Sequence, residues 1–284
     1  MEGGAAVTPE ARYATDYSAR QVAAARRVLV DVAQVLASFT DAMVLVGGWV
    51  PDMLLTNPAD PHVGSLDVDF ALNADKLSDG RYAELLSLLL DTRRYELGEK
   101  PFQLVASVDL EDGGLPIRVD IEFLAPAEMR LEKNRPKLIE GFRVLQVEAC
   151  AAAFSEPQTV EFTGAMVTGA TNTVHLRVAA LPDFVILKAH ALAGRDKPKD
   201  AYDLCYCLDE APGGVEAIAS SWRRRRGDVL LERAIDVLRV KFASIEHYGP
   251  QQVAEFYHAD DNDGRARHAR RAFELVQRLL AALA

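Results

Sequence analysis

Cysteine is scarce in this sequence. Cys150, Cys205 and Cys207 are its three cysteines among 284 residues. Three thiols at these spacings do not make a disulfide framework, and a Cys-x-Cys pair without a second ligand pair is a poor zinc signal. The six histidines are scattered and none has metal-ligand spacing. We therefore expect buried thiols, and we assign the histidines no chemistry.

Long apolar runs are also lacking. No run approaches the roughly 20 residues that a bilayer span needs, and no basic segment followed by an apolar one opens the chain. The net charge of −10 argues against a basic surface for nonspecific nucleic-acid binding, although a local basic patch is compatible with it. The composition, 49% hydrophobic, is that of a globular protein. We expect a cytoplasmic protein with no membrane partner.

An apolar stretch that ends in two glycines stands near residue 45. Val44-Leu45-Val46 predicts a buried strand, and Gly47-Gly48 predicts a tight turn where a ligand can approach the backbone. Pro51 and Asp52 suit the first turn of a following helix. The turn is therefore a candidate phosphate cradle.

The next predicted strand carries two carboxylates on one face. Alternation puts Leu66, Val68 and Phe70 on the apolar face and Ser65, Asp67 and Asp69 on the polar face. Adjacent like charges disfavour joint ionisation, so this pair needs a cation, and oxygen ligands favour magnesium or manganese. A solvated strand face is the alternative for an isolated Asp-x-Asp.

Together, the glycine pair, short helix and Gly64-Ser65-x-Asp67-x-Asp69 resemble the nucleotidyltransferase superfamily related to DNA polymerase β. The resemblance implies an α/β (α+β) fold, a mixed sheet with flanking helices. It implies that Gly47, Gly48 and Ser65 bind the triphosphate of a nucleoside triphosphate, and that Asp67 and Asp69 bind metal.

Helices and a hairpin are predicted around this motif. Apolar spacing predicts helices over Asp16–Phe39 and, capped by Ser78, through Leu85–Leu90. Phe102–Leu110 and Ile117–Leu124 read as hairpin strands. Two acids share the polar face of the second strand, Asp120 and Glu122. The resemblance implies a third metal-binding carboxylate on a strand beside the Asp-x-Asp strand; Asp120 matches best, Glu122 is held in reserve, and solubility alone is the alternative.

The pattern changes near residue 180. A polar loop at Lys133–Lys137 is followed by predicted strands at Phe142–Val147, Thr159–Phe162 and Thr173–Val178, and helical periodicity then continues from Leu181 to Ala284. We predict a nucleotidyltransferase domain over 1–180 and an all-helical domain over 181–284.

A second motif lies in the helical part. Asp183–Ala191, with Lys188, precedes Gly194–Leu204, and the pair resembles the carboxy-terminal signature of the AbiEii/AbiGii toxin branch of the nucleotidyltransferases. The resemblance implies that Lys188 and a loop lysine, Lys197 or Lys199, contact the nucleotide. It also implies that Asp200 is an active-site acid, whereas Asp203 is interpreted as a helix cap.

Three functions are open at this stage. The resemblance implies metal-dependent transfer of a nucleotide to RNA, such as a tRNA end, by a toxin restrained by an antitoxin protein. Gly47-Gly48-Trp49-x-x-Asp52 is also similar to aminoglycoside and lincosamide nucleotidyltransferases, and loss of catalysis is the third alternative. Two basic clusters are present, Arg223 to Arg226 and Arg265, Arg267, Arg270 and Arg271; each alone is most simply a solvated helix end, and together they suit a groove for an RNA backbone. A polycationic drug would instead need an acidic pocket, for which the candidate lining residues are Asp60, Asp109, Glu111 and Asp112.

Overall fold

The computed structural model describes residues 10–77, 81–127, 144–258 and 262–284. These residues form an eight-stranded mixed sheet in the order β3-β4-β5-β2-β1-β8-β7, with β6 paired to β5 off this path. The strands are β1 Met43–Val46, β2 Asp67–Leu72, β3 Tyr95–Leu97, β4 Gln103–Val108, β5 Ile117–Pro126, β6 Leu145–Val147, β7 Gln158–Ala165 and β8 Thr171–Val178. This mixed sheet confirms the predicted fold class.

The centre of the sheet joins the two acidic strands. Strand β2 runs antiparallel to β1 and parallel to β5, with Asp67 opposite Asp120 and Asp69 opposite Glu122. On the other face Phe70 stacks on Phe123, ring centroids 6.5 Å apart, in the core. Because alternate residues face opposite sides, burial of this apolar face puts all four acids on the same side of the sheet.

The helices among the described residues are α1 Ala19–Val35, α2 Val50–Leu54, α3 Arg81–Asp91, α4 Leu181–Gly194, α5 Pro198–Glu210, α6 Gly214–Arg224, α7 Val229–Lys241, α8 Tyr248–Tyr257 and α9 Asn262–Ala282. Helix α1 begins where Ser18 accepts a hydrogen bond from the Gln21 amide, and its apolar side packs on β7 and β8. The predicted Asp16–Phe39 helix is therefore confirmed with shorter ends. A 3-10 helix, Ala37–Ala42, follows it.

One strand, β3, was not predicted. The predicted strands β6, β7 and β8 extend the sheet as expected, with β6 beside β5 and β8 beside β1. The antiparallel β4–β5 hairpin is confirmed. The predicted cap at Ser78 and loop at Lys133–Lys137 lie outside the described residues.

The transition from strands to helices falls where it was predicted, between Val178 and Leu181. The buried apolar residues on both sides nevertheless form one continuous core, and Trp222 Nε1 donates to the Pro182 carbonyl at 3.0 Å inside the helical part. Division into two domains stays a prediction. The three cysteines are buried free thiols, as expected. Within the described ranges, no helix has the length and apolar character that a membrane crossing needs.

Candidate active site

The glycine turn lies where β1 ends. Gly47 has φ +71°, and a Cβ atom added there would overlap the carboxylate of Asp69. A Cβ on Gly48 would lie 2.7 Å from both Lys199 Nζ and Ser65 Oγ. Neither position therefore has room for a Cβ atom, and the backbone conformation of Gly47 also favours glycine.

A prediction follows for Gly47→Ala. Gly169 is the matched control, since it has φ +82° and nothing within 4 Å of an added Cβ. Both substitutions pay a left-handed backbone cost of about 1–2 kcal/mol. Only Gly47→Ala should also displace Asp69 and suppress nucleotide transfer, measured beside thermal unfolding. Equal activity in the two variants would show that the close approach does not matter.

Asp67 and Asp69 are half-buried side by side at the start of β2. Burial and the neighbouring charges of Asp67 and Glu122 raise the pKa of Asp69 well above its ordinary value. Burial also acts to raise the pKa of Asp67, but Lys197 and the Ser65 hydroxyl outweigh it, and that pKa is lowered. The pKa values of the two carboxylates are thus shifted in opposite directions. A bound cation would favour ionisation of both.

Ser65 is engaged differently from the prediction. Its hydroxyl donates to Asp67 Oδ1 at 2.6 Å, and the side chain is buried. Trp49 Nε1 donates to the Asp67 carbonyl at 2.8 Å, which holds the first residue of β2 against the turn. In this structure Ser65 therefore orients Asp67, and its predicted phosphate contact stays a prediction.

The two acids of β5 have different partners. Glu122 accepts from Lys100 Nζ at 3.1 Å and from Gln103 Nε2 at 3.3 Å. Asp120 Oδ1 is buried without a hydrogen-bond partner in the described part of the chain, and Arg118 Nε lies 3.7 Å away. Asp120 is thus the β5 carboxylate with a vacant acceptor, whereas Glu122 is already bound.

The candidate site has the ligand types that suit a divalent cation, but its carboxylates are not arranged closely enough to form a complete metal site. Asp67, Asp69 and the orphaned oxygen of Asp120 are oxygen ligands of the kind that Mg²⁺ and Mn²⁺ prefer. Across the four described ranges, however, no three acidic, histidine or cysteine side chains converge closely enough to hold a metal ion. Asp67 and Asp69 are the paired part of the site, and Asp120 is its neighbour.

These partners predict the outcome of an exchange on β5. Asp120→Asn should lower turnover by about two orders of magnitude, because a metal-binding carboxylate contributes several kcal/mol to the transition state. Glu122→Gln should have a much smaller effect, because Glu122 already accepts hydrogen bonds from Lys100 and Gln103. Steady-state rates of both variants check this, and the reverse ranking would assign the role to Glu122.

A network of buried ion pairs lies near the Asp67–Asp69 carboxylate pair. Lys188 of α4 lies 2.8 Å from Asp200 Oδ1 and 2.7 Å from Asp203 Oδ2, and Lys199 lies 2.7 Å from Asp203 Oδ1. Arg195 contacts Asp200 at 2.7 Å. Because each cation here neutralises a buried carboxylate, Lys188 is a structural cation of the site in addition to its predicted role toward phosphate.

One interpretation from the sequence is wrong at this network. Asp203 is fully buried between two lysines and His62, so it is an ion-pair partner and not a helix cap. The buried His62 lies 2.9 Å from Asp203 and 3.4 Å from Asp52. Its neighbours are 141 and 10 residues away along the chain, and no local pattern marks it. Arg195 was also missed, although it stands inside the second motif.

Lys197 and Lys199 both lie at the candidate site. Lys199 Nζ lies against the Gly48 turn, and burial lowers its pKa. Lys197 lowers the pKa of Asp67 and pairs with Glu10 at 3.4 Å. The structure thus brings together the predicted residues of both motifs: Gly47, Gly48, Ser65, Asp67, Asp69, Lys188, Lys197, Lys199 and Asp200.

The predicted basic groove is not supported at Arg223 to Arg226. Arg223 and Arg226 donate to the carbonyls of Ala282 and Leu283 at the end of the chain, and Arg225 pairs with the buried Asp183. This cluster therefore holds helices together. In the second cluster Arg271 pairs with Asp209, while Arg265, Arg267 and Arg270 are exposed.

The four acids named for a drug pocket are spread over two loops. Asp109, Glu111 and Asp112 belong to the turn between β4 and β5, where Asp112 pairs with Arg20. Asp60 lies against α5, its carbonyl accepting from the Tyr206 hydroxyl.

Comparison with known proteins identifies the family. The model described as nucleotidyl transferase AbiEii toxin, type IV toxin–antitoxin system, matches residues 32–272. That range is most of the chain, which therefore belongs to the AbiEii nucleotidyltransferase toxin family, as the two motifs predicted. No curated protein matches the sequence.

A solved structure with some similarity is that of an antigenic nucleotidyltransferase-like protein from Paracoccidioides brasiliensis. The identity is 14%, the match covers 76% of this chain and 94% of that chain, and the TM-score is 0.38.

Proposed function

We propose that the protein transfers a nucleoside monophosphate from a triphosphate to a hydroxyl group of RNA, with Mg²⁺ or Mn²⁺ held by Asp67 and Asp69. The observation that carries the proposal is the carboxylate pair facing a glycine turn that Lys199 touches. Negative ligands for a metal and a cationic cradle for phosphate lie side by side there. This is the combination that nucleotidyl transfer needs.

The protein's own residues position the reactants. The Gly47-Gly48 turn gives the phosphate chain close access to the backbone, and Lys199 and Lys197 supply positive charge for the departing pyrophosphate. Asp200 and Asp203 hold the Lys188 side chain in place through ion pairs. Bound divalent ions would neutralise the triphosphate and favour ionisation of the acceptor hydroxyl, with Asp120 as the further carboxylate.

An RNA acceptor is supported by exposed cations beside the acids. Lys100, just before β4, and Arg118, on β5, have side chains that are 58% and 52% exposed. The side chain of Arg195, between α4 and α5, is 56% exposed. These residues replace Arg223 to Arg226 as the expected phosphate contacts. A tRNA end as the acceptor and a cognate antitoxin as the restraining partner are the finer forms of this proposal.

The test is incubation with each α-labelled triphosphate, magnesium and either total RNA or a panel of amino and hydroxyl compounds, including aminoglycosides. The proposal expects labelled RNA, and RNA retention that falls steeply with salt. Lys100→Glu/Arg118→Glu should weaken retention, whereas Arg239→Glu, at an exposed arginine of α7 outside both clusters, is the control. Arg265→Glu/Arg267→Glu tests the second basic cluster separately. A labelled small compound without labelled RNA would establish the drug-modifying alternative, which the Gly47-Gly48-Trp49-x-x-Asp52 similarity favours.

A further inference from the structure

The segment just before α1 is anchored across the helical part of the site. Arg12 pairs with Glu255 at 2.6 Å and with Asp196 at 3.1 Å. The Tyr13 ring lies 4.6 Å from that of His258. Asp16 accepts from the amides of Arg12 and Tyr13 at 2.8 Å, which closes the segment into a turn. Residues 12–16 are thus held to the loop before α5 and to the end of α8.

Tyr17 is the residue that this anchored turn carries toward the site. Its ring centroid lies 5.4 Å from Lys199 Nζ and 5.8 Å from the ring of Phe256. Burial, followed by the charges of Asp203 and Asp67, raises the pKa of the Tyr17 phenol. The phenol therefore stays protonated at neutral pH and is a hydrogen-bond donor.

The donor of Tyr17 is unused. In the described ranges its hydroxyl makes no hydrogen bond, although the hydroxyls of Tyr95, Tyr202 and Tyr206 each have a partner. Packing on Phe256 and over Lys199 needs only the ring, so phenylalanine would serve equally for that purpose. The hydroxyl of the half-buried Tyr17 is thus available to water or to a bound ligand.

Lys199 links Tyr17 to the glycine turn. The same ammonium group that lies over the Tyr17 ring lies against Gly48. A phosphate chain bound along that turn and paired with Lys199 would therefore lie beside the Tyr17 side chain. Phosphate oxygens are strong acceptors for such a donor.

We infer that Tyr17 belongs to the nucleotide-binding site and donates its phenolic hydrogen bond to the phosphate chain of the triphosphate. This inference rests on the proposed function, because it takes a triphosphate as the ligand of the glycine turn. It assigns the segment before α1 a role in substrate binding that neither sequence motif contains.

The test is equilibrium binding of a nucleoside triphosphate and of inorganic tripolyphosphate, both with magnesium and without an acceptor, to the full chain. Tyr17→Phe keeps the ring, and Tyr13→Phe is the matched control on the same segment. Tyr17→Phe should raise both dissociation constants about tenfold, the scale of one hydrogen bond to a charged group, with an unchanged unfolding temperature. Tyr13→Phe should leave both constants unchanged.

Three results would overturn the inference, and they are distinguishable. Wild-type affinity of Tyr17→Phe for both ligands contradicts it and leaves the proposed function standing. Weaker binding of the nucleotide alone places the contact on the nucleoside and contradicts the phosphate assignment. Failure of the wild-type protein to bind either ligand contradicts the proposed function itself, and the inference with it.

Discussion

Asp69→Asn and Asp67→Asn should each lower nucleotide transfer by about two orders of magnitude or more, because each removes a charge that holds the divalent ion, a contribution of several kcal/mol. The fold should remain intact. Asp75→Asn, at an exposed position just after β2, is the matched control and should keep full activity. Full activity in either site variant would exclude the carboxylate pair as the metal site.

The same substitution at Asp69 should change stability in the opposite direction. Burial and the charges of Asp67 and Glu122 raise the pKa of Asp69 in the folded protein, so ionising it disfavours folding. Without added metal, the stability advantage of Asp69→Asn should therefore appear as pH rises from the unfolded pKa through the raised folded pKa, and vanish in acid. Denaturant unfolding from pH 4 to pH 8 measures it, and an advantage confined to low pH would contradict the assigned shift.

Lys188→Met should be the most destabilising change in the network. It leaves Asp200 and Asp203 buried without their shared cation, and breaking a buried pair in this way costs about 3–5 kcal/mol. The matched control is Lys76→Met, whose exposed lysine lies 4.0 Å from Asp41 and should contribute about 1 kcal/mol or less. Chemical denaturation of both variants checks the difference.

Acid titration gives this prediction a second readout. Burial acts to raise the pKa of Asp200, but Lys188 and Arg195 outweigh it and lower that pKa to about 2. Its stabilisation is therefore present above the unfolded pKa and lost as pH falls toward 2. Lys188→Met should weaken this acid dependence. Wild-type stability and an unchanged acid profile would show that Lys188 is not the cation that holds the two carboxylates.

What the sequence could predict was local. The glycine turn, the alternation of β2 and the β4–β5 hairpin each depend on residues within one or two elements, and the structure places them as expected. In the observed register Asp120 lies opposite Asp67 and Glu122 opposite Asp69, so strand pairing alone does not choose between the two β5 acids. The lysine of α4 and the acid of α5 came from the family resemblance.

What the sequence could not predict depends on partners far along the chain. Asp203 sits in a helix's first turns and reads as a cap, yet it closes a network with His62, 141 residues away. Four consecutive arginines read as a basic surface, yet Arg226 donates to the Leu283 carbonyl just after α9 and Arg225 pairs with a buried acid of α4. Tyr17 has no local pattern at all. The segment before it is anchored by Arg12, whose partner Glu255 is 243 residues away.

The most direct measurement compares triphosphate labelled at the α-phosphate with the same triphosphate labelled at the γ-phosphate, in reactions with RNA and magnesium. Transfer of a nucleotide predicts that the RNA retains the α-label, that the γ-label leaves as pyrophosphate, and that Asp67→Asn abolishes both signals. An RNA that retains the γ-label instead, or α-labelling that survives in Asp67→Asn, would contradict nucleotidyl transfer at the Asp67–Asp69 pair.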